Sequence, residues 1–304
     1  MISHHSKIIT NKIRGTGVAL VTPFHADGAV DYQSLQGLVE YVIQNGADFL
    51  VALGTTAETA TLTSEEKHQI VEAIVAAAQK RLPIVLGIGG NCTSEVCNTL
   101  IGWNLKDVDA ILTVVPYYNK PSQEGIFQHF KQISDNSPCP LILYNVPSRT
   151  VVNINPDTVI RLANTCENIV GIKEASGDFN QMTRLLQLAP EGFKVLSGDD
   201  ATTLPLLSLG GHGVISVIAN ALPLLTSKMV SGGLEGNFAI AREMHFRLHN
   251  LLELLFQQGN PAGIKALLHH KGLCGNHLRL PLTPVPPDLY RLIANESDKI
   301  DRQF

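Results

Sequence analysis

No apolar run in this sequence is long enough to cross a bilayer. The longest, such as Ile111–Val115, fall far short of the ~20 residues a spanning helix needs. Cysteine is sparse: Cys92, Cys97, Cys139, Cys166 and Cys274 are an odd, scattered set without a CxxC pair, which argues against a disulfide framework in a chain this apolar. There is no basic excess. Lys and Arg number 23 against 27 Asp and Glu, for a net charge of -4, so neither nucleic acid nor an anionic membrane surface is an expected partner. The first residues, Met1 to Arg14, lack the apolar core and small-residue cleavage site of a signal peptide. A soluble, cytoplasmic protein is expected. His269, His270, Cys274 and His277 invite a metal reading, but no second cysteine pair completes a ligand set. An ordinary loop between two C-terminal helices is expected there, with no metal.

What is present is a globular composition, 44% hydrophobic in 304 residues, with a repeating beat. Short, β-branched apolar runs recur at Gly17–Phe24, Phe49–Gly54, Pro83–Gly89, Ala110–Pro116, Leu141–Pro147, Ile169–Ala175, Lys194–Asp199 and Gly213–Asn220. Near-continuous hydrophobicity marks parallel strands buried on both faces. Leu35–Ile43, Glu65–Ala78 and Thr183–Leu188 between them carry helical spacing.

Eight strand–helix units predict an α/β fold of the closed (β/α)₈ TIM barrel type. An open doubly wound sheet would usually carry a glycine fingerprint after its first strand, and none follows Gly17. Gly87-Ile88-Gly89-Gly90 lacks the Gly-Lys-Ser/Thr of a phosphate-binding loop. After Asn220 the pattern turns helical, with Leu251–Phe256 and Ile264–His270 as helix cores and Pro281, Pro284, Pro286 and Pro287 separating the last helices. Residues 1–223 are therefore expected to form the barrel, and 224–304 a C-terminal helical domain.

In such a barrel, chemistry gathers where strands end. Lys173 closes the run Ile169-Val-Gly-Ile-Lys. It reads either as a snorkelling or ion-paired lysine, or as an amine kept neutral by its surroundings and able to attack a carbonyl. Alternation puts Gly171 and Lys173 on one face, with Gly171 leaving the amine room, and Ile172 and Glu174 on the other, which disfavours Glu174 as a base. Gly54-Thr55-Thr56-Ala57-Glu58-Thr59 follows the second strand. Its glycine permits a sharp turn, and its hydroxyls and N–H groups suit a small carboxylate. A plain polar loop fits the spacing as well. Thr63-Ser64-Glu65-Glu66 has capping-box spacing and predicts a helix start. Tyr117, Tyr118 and Tyr144 at strand ends are candidate proton relays or packing residues. Arg149 can fork onto a carboxylate.

Taken together, GTTAETATL, PYYNKP, YNVPSRT, GIKEASGD, LSGDD and GGHGVISV resemble the motifs of the dihydrodipicolinate synthase family, within the N-acetylneuraminate lyase superfamily of class I aldolases. The likeness runs from about Gly15 to about Pro284. It implies condensation of pyruvate with L-aspartate-4-semialdehyde, the first committed step of diaminopimelate and lysine biosynthesis. No cofactor is implied beyond pyruvate held covalently. By the same resemblance Lys173 forms the Schiff base, and Tyr144 relays protons, linked through Thr55 to Tyr118. Thr56 holds the pyruvate carboxylate, Arg149 receives that of the semialdehyde, and Gly198 and Ile215 line the site. The tyrosine matching Tyr118 is lent by a neighbouring subunit in this family. That implies a homo-oligomer, expected to be a homotetramer built as a dimer of dimers.

Ala57 and Thr59 stand where the family usually has Gly and often has Ser. Within the superfamily the rivals are N-acetylneuraminate lyase and sugar-acid aldolases, against which Arg149 and the SGDD loop speak. A catalytically inactive ligand-binding paralogue is the alternative from another class, and Lys173, Tyr144 and Tyr118 are all retained. Members inhibited by lysine bind it near Tyr117, and the matching positions are Thr59, Ala60, Ser64, Lys67, Asn91, Glu95 and Tyr117. Because Ser64 and Lys67 replace two histidines, weak or absent inhibition by lysine is expected.

Overall fold

The protein was analysed as a computed structural model, which describes residues 12–302; the expectation for residues 1–11 lies outside them. Eight parallel strands close on themselves in chain order, β1 (Gly15–Ala19), β2 (Phe49–Ala52), β3 (Ile84–Gly87), β4 (Ala110–Val114), β5 (Leu141–Asn145), β6 (Ile169–Glu174), β7 (Lys194–Ser197) and β8 (Gly213–Ser216), with β8 hydrogen-bonded to β1. The helices between them are α1 (Tyr32–Gln44), α2 (Ser64–Ala78), α3 (Thr93–Gly102), α4 (Gln123–Asn136), α5 (Pro156–Thr165), α6 (Phe179–Leu188) and α7 (Thr203–Ser208). The predicted (β/α)₈ barrel is the fold observed.

Alternation along each strand builds two cores. Phe49, Val51, Val85, Leu112, Ile142, Tyr144, Leu196 and Ile215 fill the barrel interior. Leu50, Ala52, Leu86, Ile111, Leu143, Ile172, Val195 and Val214 face the helix layer. The strands end earlier than the apolar runs that announce them. β1 stops at Ala19 and β8 at Ser216. Beyond those points Val21 donates its N–H to the Asn220 side chain (3.2 Å) and Ile218–Asn220 forms a 3₁₀ turn. Val21, Ile218 and Ala219 remain buried, which matches the apolar run although the ladder no longer holds them.

Helix starts follow local chemistry. The Thr63 hydroxyl accepts from the Glu66 N–H at 3.2 Å while the Glu66 carboxylate accepts from the Thr63 N–H at 2.9 Å, the reciprocal cap expected for α2. After β8 come α8 (Pro223–Leu234), α9 (Phe238–Phe256), α10 (Ala262–His270) and α11 (Pro287–Asp301). Pro287 opens α11 at a position where no N–H is missed. The front of α9 carries Arg242, Glu243 and Arg247 among its apolar residues, so the sequence shows only its apolar end. Among the described residues no helix is long and apolar enough to cross a membrane.

Candidate active site

Lys173, the penultimate residue of β6, sits beside Tyr144 of β5 in the strand register. A register shift between Leu141 and Ile142 lets β6 carry one extra residue there, so Gly171 and Lys173 pair with the inward-facing Ile142 and Tyr144. Lys173 is only 5% exposed, and its Nζ lies 4.3 Å from the centroid of the Tyr144 ring. Among the described residues its nitrogen has no hydrogen-bond or ion-pair partner. A buried amine held only against an aromatic face is open to a ligand.

The room around this amine has a different source from the one the sequence indicated. A Cβ at Gly171 would meet the Lys194 carbonyl oxygen at 2.7 Å, so that glycine serves strand packing. A Cβ at Gly198 would lie 3.0 and 3.1 Å from Lys173 Cγ and Cε. The neighbouring strand's end therefore clears the lysine stem. Ile215, fully buried, belongs to the same interior cluster as Tyr144. Glu174 points the other way, as alternation requires. Its carboxylate accepts from Asn145 Nδ2 (3.0 Å), Gln181 Nε2 (2.9 Å) and the Ser176 N–H (2.6 Å) in the helix layer.

In the loop after β2 the sharp turn also falls elsewhere than expected. Gly54 has φ -72, open to any residue, while Leu53 (φ 53) and Glu58 (φ 55) adopt the left-handed conformation. Two single turns, Thr55–Ala57 and Thr59–Thr61, flank Glu58. Thr55 is exposed and Thr56 buried. The Thr56 hydroxyl accepts from Asn260 Nδ2 at 2.9 Å, which leaves its own proton to donate. Arg149, on the one-turn helix Pro147–Thr150, donates to the Asn260 carbonyl at 3.3 Å. Asn260 thus bridges the two proposed carboxylate binders. Sequence reasoning missed it, because it lies beyond the barrel strands, 204 positions from Thr56.

Tyr118 is 87% exposed with φ 75, and Tyr117 is 41% exposed. The remaining positions singled out for lysine binding are dispersed over neighbouring elements. Ser64 opens α2 and is exposed, Lys67 is half-buried one turn on, and Ala60 and Glu95 are exposed. Asn91 Nδ2 donates to the Tyr117 carbonyl at 3.4 Å. Thr59 is tied into its own loop, donating to the carbonyls of Leu53 (2.9 Å) and Gly54 (2.8 Å).

The acidic loop after β7 is structural in part. The Asp200 carboxylate accepts from the N–H groups of Val217 (2.9 Å) and Ile218 (3.0 Å), and burial pushes its pKa up. The histidine–cysteine cluster is dispersed as well. His269 bonds Tyr290, His270 bonds Asp298, and burial pushes the Cys274 thiol up to about 11. Among the described residues no three metal-ligating side chains converge.

Two clefts lie at the other end of the barrel, lined by residues such as Arg14, Asp48, Lys80 and Lys106 in one and Lys194 and His212 in the other. There side chains secure the backbone. Asp48 accepts from the Thr16 N–H at 2.7 Å and His212 Nδ1 from the Val195 N–H at 3.2 Å. Polar groups at that end of a barrel read as stability.

Among the described residues, then, a buried lysine without a polar partner lies beside a tyrosine at the carboxyl ends of the strands. A curated protein of Parabacteroides distasonis named 4-hydroxy-tetrahydrodipicolinate synthase is 52% identical over 272 residues, covering 90% of this chain and 92% of that one. A dihydrodipicolinate synthase crystal structure from Aquifex aeolicus superposes with a TM-score of 0.92 at 40% identity, covering 95% and 98% of the two chains. One from Cyanidioschyzon merolae, solved with lysine bound, gives 0.91 at 38% identity, covering 95% and 99%. The Dihydrodipicolinate synthetase family model spans residues 12–295, and the chain belongs to that family.

Proposed function

We propose that this enzyme, a 4-hydroxy-tetrahydrodipicolinate synthase, condenses pyruvate with L-aspartate-4-semialdehyde through a Schiff base on Lys173. The observation that carries this reading is the buried Lys173 nitrogen, which among the described residues has no partner except the Tyr144 ring. The amine attacks the keto carbon of pyruvate and water leaves, giving an iminium. Loss of a methyl proton forms the enamine, which attacks the aldehyde carbon of the second substrate. That substrate's own amino group then displaces Lys173 as the ring closes, so one water is released per turnover. The protonated imine is the electron sink, so neither metal nor organic cofactor is required.

Tyr144 passes protons to and from the reacting carbon, with Thr55 as its link to Tyr118. Thr56 holds the pyruvate carboxylate by N–H and hydroxyl, Arg149 takes the second carboxylate, and Gly198 and Ile215 shape the floor. Tyr118, exposed in one chain, completes the site of a neighbour, in a homotetramer arranged as a dimer of dimers. Residues 1–223 carry the chemistry and 224–304 support it, and the enzyme works in the cytoplasm. The rival substrates of the superfamily and the inactive-paralogue reading gain nothing from the relatives.

Borohydride reduction in the presence of pyruvate tests the assignment. A pyruvate-derived mass should appear on the peptide bearing Lys173 and disappear in Lys173→Ala. A label on Lys194 or Lys120 would overturn it.

A further inference from the structure

A second lysine lies deeper than Lys173. Lys265 of α10 and Glu58 of the β2–α2 loop are joined by a salt bridge in which both side chains are fully buried. Lys265 Nζ also donates to the His277 carbonyl at 2.8 Å, and the other Glu58 oxygen accepts from the Arg279 N–H at 3.0 Å. The Arg279 guanidinium then donates to the carbonyls of Thr61 (2.9 Å) and Gly28 (2.7 Å) and to Glu66 (2.8 Å). Both cations lie against the Phe24 ring, at 4.1 and 4.6 Å from its centroid.

Glu58 is also the left-handed residue on which the loop turns. Its N–H donates to the Thr55 carbonyl at 3.2 Å, and its carbonyl accepts from the Thr61 N–H at 2.9 Å. A non-glycine residue stays in that conformation only where its surroundings over-determine it. Here the side chain is locked into the C-terminal helices while the backbone carries Thr55 and Thr56 on the preceding turn. A buried ion pair is a poor way to gain stability, since an apolar pair of equal volume does as well or better. An apolar pair would lack direction, and so would not fix the turn.

We propose that the Glu58–Lys265 pair is a positioning device for the pyruvate site, by which the C-terminal helices hold Thr56 ready for the substrate carboxylate. The inference rests on the assignment of Thr56 above. Neither residue touches substrate.

Glu58→Gln, Lys265→Met and the double variant are compared with the native full-length enzyme and Thr56→Ala, following pyruvate KM, semialdehyde KM, kcat and melting temperature. Glu58→Gln keeps shape and an acceptor, so it decides the matter alone if Lys265→Met does not fold. Pyruvate KM should rise roughly tenfold or more in Glu58→Gln, with semialdehyde KM changed less than about twofold, since small misplacements of binding groups are costly. The double variant, neutral and equally bulky, should regain melting temperature without regaining pyruvate KM. Recovery of both together would make the pair merely structural and overturn the proposal, as would an unchanged pyruvate KM in folded Glu58→Gln. If Thr56→Ala itself leaves pyruvate KM unchanged, the Thr56 assignment falls and takes the proposal with it. Sensitivity to Thr56→Ala with indifference to Glu58→Gln refutes the positioning role alone.

Discussion

Lys173 and Lys265 are both buried in the same molecule, and they differ in what surrounds the nitrogen. Lys265 has a carboxylate, a carbonyl and an aromatic face, which account for all it can bind. Burial alone pulls its pKa down, and Glu58 pulls it back. Among the described residues Lys173 has only the Tyr144 ring. Depth therefore does not separate a structural lysine from one open to a ligand. The inventory of partners does, because a satisfied ammonium has nothing left to offer a substrate.

The largest effect that can break this contrast uses the subunit boundary. Lys173→Ala and Tyr118→Phe should each be nearly inactive alone. If Tyr118 serves the neighbour's Lys173, equal mixing with free subunit exchange gives half hybrid dimers, each with one intact site of two. About a quarter of native activity should return. Absence of any return, with exchange shown independently by mass, would place Tyr118 in its own subunit's site.

Arg149→Ala should act next, and selectively. Its guanidinium is exposed and anchored to the Asn260 carbonyl, so it is free to fork onto a carboxylate. A charge-assisted bond is worth about 1.5–3 kcal/mol. Turnover with the semialdehyde should fall roughly ten- to hundredfold, while trapping of pyruvate at Lys173 stays near native. Equal loss in both assays would make the arginine structural.

The ease of reading these residues from sequence follows from their distance along the chain. The eight strands announce themselves because parallel strands are apolar on both faces. Lys173 stands out because a lysine ending such a run is anomalous. Tyr144, Thr56 and Arg149 were legible through the family motifs that carry them, and Glu174's outward direction through alternation. What was hidden depends on neighbours that only the fold supplies. Gly198 rather than Gly171 clears the lysine stem because the crowding comes from the adjacent strand. Gly54 resembled the turn residue because glycine permits positive φ, yet Leu53 and Glu58 are the residues that adopt it. Asn260 and Lys265 reach the active-site loop from more than 200 positions away.

Acid should weaken the Lys265 side of the comparison first. The Arg279 guanidinium beside Glu66 holds its carboxyl at about 2, below the usual 4.5. A carboxylate depressed in the folded state adds stability that is complete above about 4.5 and lost as pH falls towards 2. Allowing for screening of a part-exposed pair, that contribution is roughly 1–2 kcal/mol. Glu66→Gln should therefore lower the denaturant midpoint at pH 7 and lose that disadvantage near pH 2, as measured by denaturant unfolding at both pH values. A constant difference at all pH would assign the effect to the helix cap instead.

A third lysine, half-buried Lys67 on α2, gives the smallest expected effect. It lies one turn after exposed Ser64, and the family resemblance groups both with Thr59, Asn91, Glu95 and Tyr117 as positions that would receive free lysine. Glu95 is exposed in the first turn of α3 and available to an incoming amino group. A Lys67 ammonium that points into this cleft would act against it. Two like charges about 4 Å apart repel by about 1 kcal/mol in water and by more where water is scarce, whereas a neutral histidine would accept a hydrogen bond. A penalty near 1.4 kcal/mol corresponds to a tenfold loss of affinity. The initial rate should therefore stay almost flat as L-lysine is raised through the millimolar range. Ser64→His combined with Lys67→His should bring inhibition down by roughly an order of magnitude in lysine concentration, while leaving pyruvate KM untouched. Strong partial inhibition of the native enzyme at sub-millimolar lysine would mean that Lys67 points away from the bound ligand and that Glu95 alone governs the cleft.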